Sequence, residues 1–302
     1  MTTTSTSRDL VLAVMHGGNF DYVAPFVISL KNSAFRGSTV LFTSGVDSDS
    51  LNKLKKCGVT VVPFRFSDQG ARAPDRRRIA RLWPLWRLLF SAGLPRGARY
   101  GLAHWVFHLR YRRYLLYSEF LERHTADFDR VFLADCRDIF FQADPFAWDW
   151  KSGVHFFFEE TGHRMIECNA HRNWLSRQFG REFFEQHAQR TPACSGTTYG
   201  DMANIRQYLN LMVATTMRAL NLGRMAGGDQ GIHNYILINN LINNITVYEN
   251  RRGPVMTMFW MRESDIPTDA DGAVVNDDGS IVAVLHQYDR FPALKARLLS
   301  RL

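Results

Sequence analysis

The sequence predicts an α/β fold: a mixed, mostly parallel sheet flanked by helices. Three observations point there. Short apolar runs alternate with amphipathic stretches from Asp9 to Phe66, the pattern of βαβ units. The composition, 46% hydrophobic and 22% charged, is that of a chain that folds. At 302 residues it can bury a large core, and no fixed repeat period argues for a solenoid or propeller.

The elements follow in order. Asp9 to Met15 (DLVLAVM) is a continuous apolar run, as a strand buried on both faces requires. His16-Gly17-Gly18-Asn19 is the loop after it. From Tyr22 to Asn32 apolar residues recur at helical spacing. Ser38 to Thr43 reads as a second strand, Ser44 to Asp47 as its turn, and Asp49 to Cys57 as a short helix. Val59 to Phe66 is a third strand, with Pro63 placing it towards an edge or its own end. Arg76 to Leu89 and Gly101 to Leu121 are expected as helices, separated by Gly93-Leu94-Pro95. Phe128 to Ala134 is a fourth strand that runs into Asp135-Cys136-Arg137-Asp138. Beyond it, strands are expected at Val154 to Glu159, Ile245 to Glu249 and Ile281 to Leu285, with a turn at Asn276 to Gly279. Helices are expected at Arg181 to Gln189, Asn204 to Leu220 and Gly228 to Asn240. The expected organisation is a disordered tail over 1–8 and a single domain over 9–302, with a helical insertion at about 71–122.

Charge is unevenly spread. Between Ala71 and Tyr114 stand eleven arginines, no lysine and one acid, Asp75, so this segment carries +10 within a chain of net charge +8. Such a patch fits a solvated helical surface, or one that meets an anionic membrane because Trp83, Trp86, Leu88, Leu89, Phe90 and Trp105 interleave with the arginines. Nucleic acid is not expected as a partner, since no helix-turn-helix, zinc-finger or RNA-binding signature is present. Cys57, Cys136, Cys168 and Cys194 show neither C-x-x-C nor zinc-finger spacing, which suggests a reduced, cytoplasmic chain, with peripheral membrane attachment left open. No apolar run reaches transmembrane length.

The chemistry centres on Asp135 and Asp138. Open α/β sheets bind ligands at the carboxyl ends of their strands. Two carboxylates on a turn there can supply ligands to a hard divalent cation and leave positions for phosphate oxygens and water. Alternatively, Asp135 caps a turn and Asp138 pairs with Arg137. His286 is either a hydrogen-bonded histidine at a strand end or a neutral imidazole ligand. Asp229 is either a plain helix N-cap or a carboxylate that accepts from a ligand hydroxyl or takes a proton, and it is the catalytic candidate. Ser195 and Gly196 offer backbone without bulk. Glu159 and Glu160 end an apolar strand and can face a crevice. Lys295, Arg297 and Arg301 can close over a diphosphate or form a solvated helix face.

The run VFLADCRDIFFQADPF, Val131 to Phe146, resembles the metal-binding strand of GT-A-fold glycosyltransferases with a D-x-D motif. Four further segments are similar to that family, in its order. The opening strand with Asn19-Phe20-Asp21-Tyr22 resembles the region that meets the nucleotide base. Cys194-Ser195-Gly196-Thr197-Thr198 resembles the small-residue strand under the donor sugar. Gly227-Gly228-Asp229-Gln230-Gly231 is similar to the D-Q element near sugar and acceptor. Leu285-His286-Gln287-Tyr288-Asp289-Arg290 is similar to the histidine segment that gives glycogenin-like enzymes a third metal ligand.

The resemblance implies transfer of a sugar from a nucleoside diphosphate sugar to an acceptor hydroxyl on a glycan, glycolipid or glycoprotein. It implies a Mn²⁺ or Mg²⁺ cofactor and favours retention of configuration. Metal ligands are then Asp135, Asp138 and His286, and donor contacts come from Asn19, Tyr22, Asp135, Arg137, Ser195, Gly196 and Gln230. One departure stands out: two residues, Cys136 and Arg137, separate the acids where the strict motif has one. Asp135 can then contact the ribose while Asp138 holds the metal, and Arg137 can partly replace the cation against the diphosphate. Two competitors share these features. A nucleotidyltransferase would carry a basic Gly-rich loop after the first strand, which His16 to Asn19 lacks. A non-catalytic membrane or polyanion adaptor would rely on the arginines alone.

Overall fold

A computed structural model describes residues 8–66, 79, 81–222 and 228–302. The expected tail over 1–7, the start of the Arg76 helix and Gly227 lie outside the described residues.

The larger sheet has seven strands: β1 (Asp9–His16), β2 (Ser38–Ser44), β3 (Val59–Pro63), β4 (Arg130–Ala134), β6 (Val154–Phe157), β7 (Thr197–Asp201) and β8 (Ile245–Tyr248), in the order β3-β2-β1-β4-β7-β6-β8. The pairs among β3, β2, β1 and β4 are parallel, as is β6–β8, whereas β7 runs antiparallel to both neighbours. The expected mixed, mostly parallel α/β sheet is therefore present. A smaller sheet joins β5 (Ile139–Phe141), β10 (Val284–His286) and β9 (Val255–Thr257) in the order β5-β10-β9.

The central strand β1 is apolar on both sides because both sides are covered. On β1, Leu10 and Leu12 pack into one core with Tyr117, Leu121, Leu209 and Met212 from helices. Val11, Ala13 and Met15 pack into the other, with Phe26, Val27 and Leu30 of the Ala24–Asn32 helix. Side chains alternate faces along a strand, so a run with no polar interruption is the signature of two buried faces.

Several boundaries differ from the sequence reading. The expected Gly101–Leu121 helix is two helices, Arg96–Val106 and Leu109–Arg123. Between them Phe107 is extended, at φ −72° and ψ 137°, and its ring is fully buried against Trp83, Phe90 and Tyr111. Tertiary burial of one aromatic overrides a continuous helical pattern that no Gly or Pro interrupts. The described helix before them is Trp83–Ser91. Helix Asn169–Phe179, with its buried Leu175, was not foreseen, nor were the three-residue strands β5 and β9. β3 stops at Pro63, as expected of a residue with no N–H for the ladder.

Two registers place the site. Ala134, the last residue of β4, pairs with Thr197 of the antiparallel β7, so the chain after β4 lies beside the chain before β7. Ile139 of β5 pairs with His286 of β10, which sets that histidine next to Asp138.

Candidate functional site

Asp135 leaves the end of β4 with its backbone N–H donating to the Gly196 carbonyl at 2.8 Å. Asp138, buried, immediately precedes β5, and its carbonyl accepts from the Gln287 N–H at 2.6 Å. Gln287 takes a left-handed conformation, φ 64°, which turns the chain directly after His286. Strand register and one tight backbone contact at each end thus fix three side chains around one point.

Their geometry suits a cation. His286 Nε2 lies 3.8 Å from Asp135 Oδ2 and 3.8 Å from Asp138 Oδ1. That is too long for hydrogen bonds, and it fits an ion about 2.1 Å from each ligand atom. The three ligand atoms lie within 4.8 Å of one another. The His286 ring is buried, its Nδ1 is 3.5 Å from Cys194 Sγ, and its Nε2 has no hydrogen-bond partner. A buried polar atom left unpaired is uncommon, and here it points at two carboxylates. The residues present fit a divalent metal.

Arg113, on the Leu109–Arg123 helix, completes the electrostatics. One arm of its guanidinium pairs with Asp135 Oδ1. The other donates to Asp229 Oδ2 at 2.8 Å, to the Ser195 carbonyl at 3.0 Å and to the Tyr114 hydroxyl at 2.9 Å. Burial pushes the Asp135 carboxyl up, but the Arg113 charge and the facing imidazole outweigh it and hold this acid well below the usual range. On Asp138 burial wins: it and the neighbouring Asp135 carboxylate push this acid up, outweighing the facing imidazole and Arg137. Burial disfavours a proton on His286, yet Cys194 and the two carboxylates push its pKa up overall. A metal bound there would compete with a proton for the same ligand atoms, as at ligand sites generally.

The chemistry opens into two adjoining cavities. One, about 340 Å³, is lined by His16, Tyr22, Asp135, Arg137, Asp138 and Arg290 among others. The other, about 260 Å³, is lined by Ser195, Gly196, Asp229, Gln230, Trp260 and His286 among others. Both include Arg110, Arg113, Asp135, Gln287 and Arg290. Most expected site residues are thus brought together around Asp135. Asn19 is not: it is exposed at the start of the Phe20–Tyr22 turn and lines neither cavity. Tyr22 is 43% exposed at the rim. Arg137 reaches Asp138 Oδ2 only at 3.4 Å, with half its side chain open to solvent.

Asp229 does not cap its helix as an N-cap. It is the first residue of the Asp229–Ile238 helix, buried, with Oδ2 committed to Arg113 and Oδ1 lacking any hydrogen-bond partner. Gln230 Nε2 bonds Glu159 Oε1 at 2.7 Å and His171 Nε2 at 2.7 Å. Glu159 Oε2 accepts from Trp260 Nε1 at 2.8 Å. Glu159, His163 and His171 are also close enough to share an ion, but the Gln230 amide already bridges two of them.

Sequence reasoning missed Arg113 as a site residue, along with His171 and Trp260. Arg113 was one arginine among eleven, and only the tertiary fold singles it out. Its one local signal is that Tyr111, Tyr114, Leu115 and Tyr117 around it are buried, an unusual setting for a charge.

Gly196 has no side chain because none fits. A Cβ there would clash with the His286 ring, standing 2.5 Å from Nε2, and would lie 2.9 Å from Asp135 Oδ2. Gly196→Ala is expected to lower Mn²⁺ affinity at least ~10-fold and stability by about 1–3 kcal/mol, through overpacking of a buried ring. Isothermal titration with Mn²⁺ and a denaturant melt check both. Unchanged metal affinity would count against the ligand set.

The chain matches no protein-family model and no curated protein.

Proposed function

We propose that this protein is a metal-assisted glycosyltransferase of the GT-A type. It would move a sugar from a nucleoside diphosphate sugar to an acceptor hydroxyl on a glycan, glycolipid or glycoprotein. The observation that carries the reading is the convergence of Asp135, Asp138 and the unpaired His286 Nε2 in an arginine-lined cleft.

The residues divide the work along the cleft. Asp138 and His286 would hold the cation, with Asp135 Oδ2 as third ligand or ribose contact. Bound there, Mn²⁺ or Mg²⁺ supplies charge neutralisation to a departing diphosphate. Arg137 and Arg290 line the same cavity and offer guanidinium donors to phosphate oxygens. Tyr22 and His16 line it as well and offer rings to a base. On the other side Gly196 lets a sugar approach the backbone. Asp229 Oδ1, buried and unpaired, is placed to accept from a sugar or acceptor hydroxyl, while Arg113 fixes the carboxylate's orientation. Gln230 and Trp260 line the same end. The glycogenin-like resemblance favours retention of anomeric configuration.

A thermal-shift screen of nucleoside diphosphates with and without Mn²⁺ tests the reading. A nucleotide at 100 times its dissociation constant should add about 2.7 kcal/mol of stability. One base is expected to shift melting, and only with metal present. The matching nucleoside diphosphate sugar should then release free nucleoside diphosphate. Pyrophosphate-dependent formation of a nucleoside triphosphate would indicate a nucleotidyltransferase instead. Indifference to every nucleotide would end the proposal in favour of an adaptor.

A further inference from the structure

Away from the cleft, the helical segment carries a larger cavity of about 570 Å³, lined by Phe90, Arg96, Arg99, Tyr100, Asn210 and Arg218 among others. No acid stands among its described lining residues. Arg96 is already engaged: it pairs with Glu122 and bonds the Tyr100 hydroxyl at 3.0 Å. Arg99 and Arg218 form no ion pair among the described residues, and Arg99 Nε is buried without a hydrogen-bond partner. The cavity also receives the first turn of the Arg96–Val106 helix, whose N-cap Pro95 provides no side-chain cap. A helix start with free N–H groups, beside unpaired guanidiniums, is a setting for an anion with several acceptor oxygens.

The surrounding surface narrows the class of anion. Leu85 is 49% exposed, Leu88 66% and Trp105 53%, all on the two helices that flank the cavity. A free phosphate compound gives such side chains nothing to do. At a membrane surface, large apolar side chains enter the acyl boundary while arginines meet headgroup phosphates. The positive charge is also local, with +10 between Ala71 and Tyr114 in a chain of net +8.

We propose that the Trp83–Ser91 and Arg96–Val106 helices dock on an anionic membrane, with the phosphate of a lipid headgroup held in this cavity by Arg99 and Arg218. The inference uses none of the residues assigned to metal or donor, so the two readings stand or fall separately.

Flotation of the full chain with vesicles tests it, using phosphatidylcholine alone or with 30% phosphatidylglycerol. The protein is expected to float with the anionic vesicles and not with the neutral ones. Each basic residue near such a surface contributes about fivefold in binding, so Arg99→Ala with Arg218→Ala should weaken it about 25-fold. Arg99→Lys with Arg218→Lys should keep most of the binding, which separates lost charge from lost fold. Leu85→Ser with Leu88→Ser should also weaken it. Equal flotation with neutral vesicles, or undiminished flotation of either the Arg99→Ala/Arg218→Ala or the Leu85→Ser/Leu88→Ser protein, overturns the proposal. So does an Arg99-dependent thermal shift with glycerol 1-phosphate in the absence of flotation, which would assign the cavity to a soluble phosphate ester.

Discussion

Asp138→Ala is expected to lower Mn²⁺ affinity by roughly 10²–10³-fold, beyond the 10–100-fold that loss of an outer partner costs. The proposed sugar transfer should fall by about 10³, because the charge shed on the diphosphate would lose several kcal/mol of stabilisation. Metal-free stability should hardly change. Asp138 lies buried, the His286 ring it faces at 3.8 Å is also faced by Asp135, and burial pushes the Asp138 pKa up, so removing the carboxylate leaves the imidazole one acid and removes a desolvation cost. The variant should therefore melt near the parent without metal and differ sharply with it. Titration calorimetry and paired melts read both quantities. A variant that still needs Mn²⁺ for its nucleotide-induced shift would show that this acid is not a ligand.

Arg113→Met should be the most destabilising single change at the site. Asp229 has only 3% of its side chain exposed, and Arg113 is its ion partner. Breaking a buried pair from one side leaves an uncompensated charge, at about 3–5 kcal/mol. For a chain of this size that lowers the melting temperature by roughly 5–8 °C. Adding Asp229→Asn to Arg113→Met should recover more than half of the loss, since the stranded charge is then gone. Arg113→Lys should fall between, because one ammonium cannot reach Asp135 and Asp229 with the spread of a planar fork. Denaturant melts of the four proteins decide it. A loss under about 1 kcal/mol for Arg113→Met would mean that water, not Arg113, compensates Asp229.

What the sequence could disclose follows the range of the forces involved. The β1 strand was readable because Leu10 to Met15 is apolar without interruption and both its faces are in fact covered, and β2 and β3 because each is a short β-branched or aromatic run bounded by turn residues. Asp135 and Asp138 were readable because they directly follow such a strand. The break at Phe107 was not, since it is driven by Trp83 and Phe90, far off in sequence. β5 and β9 escaped notice because three residues are too few to show any period. Arg113 escaped notice because its partners, Asp135 and Asp229, are 22 and 116 residues away. Asn19 stands apart: the structure places it at an exposed turn that lines neither cavity.

The pairing of Ile139 with His286 bears on how the molecule breathes. β10 contributes only three residues to a small sheet, and its last one closes the candidate ion site. A cation gripped by Asp138 and His286 would therefore act as a clasp on the C-terminal segment. Amide exchange in Val284 to His286 and in the Pro292–Leu299 helix should slow on adding Mn²⁺, while the interior of β1 keeps its rate.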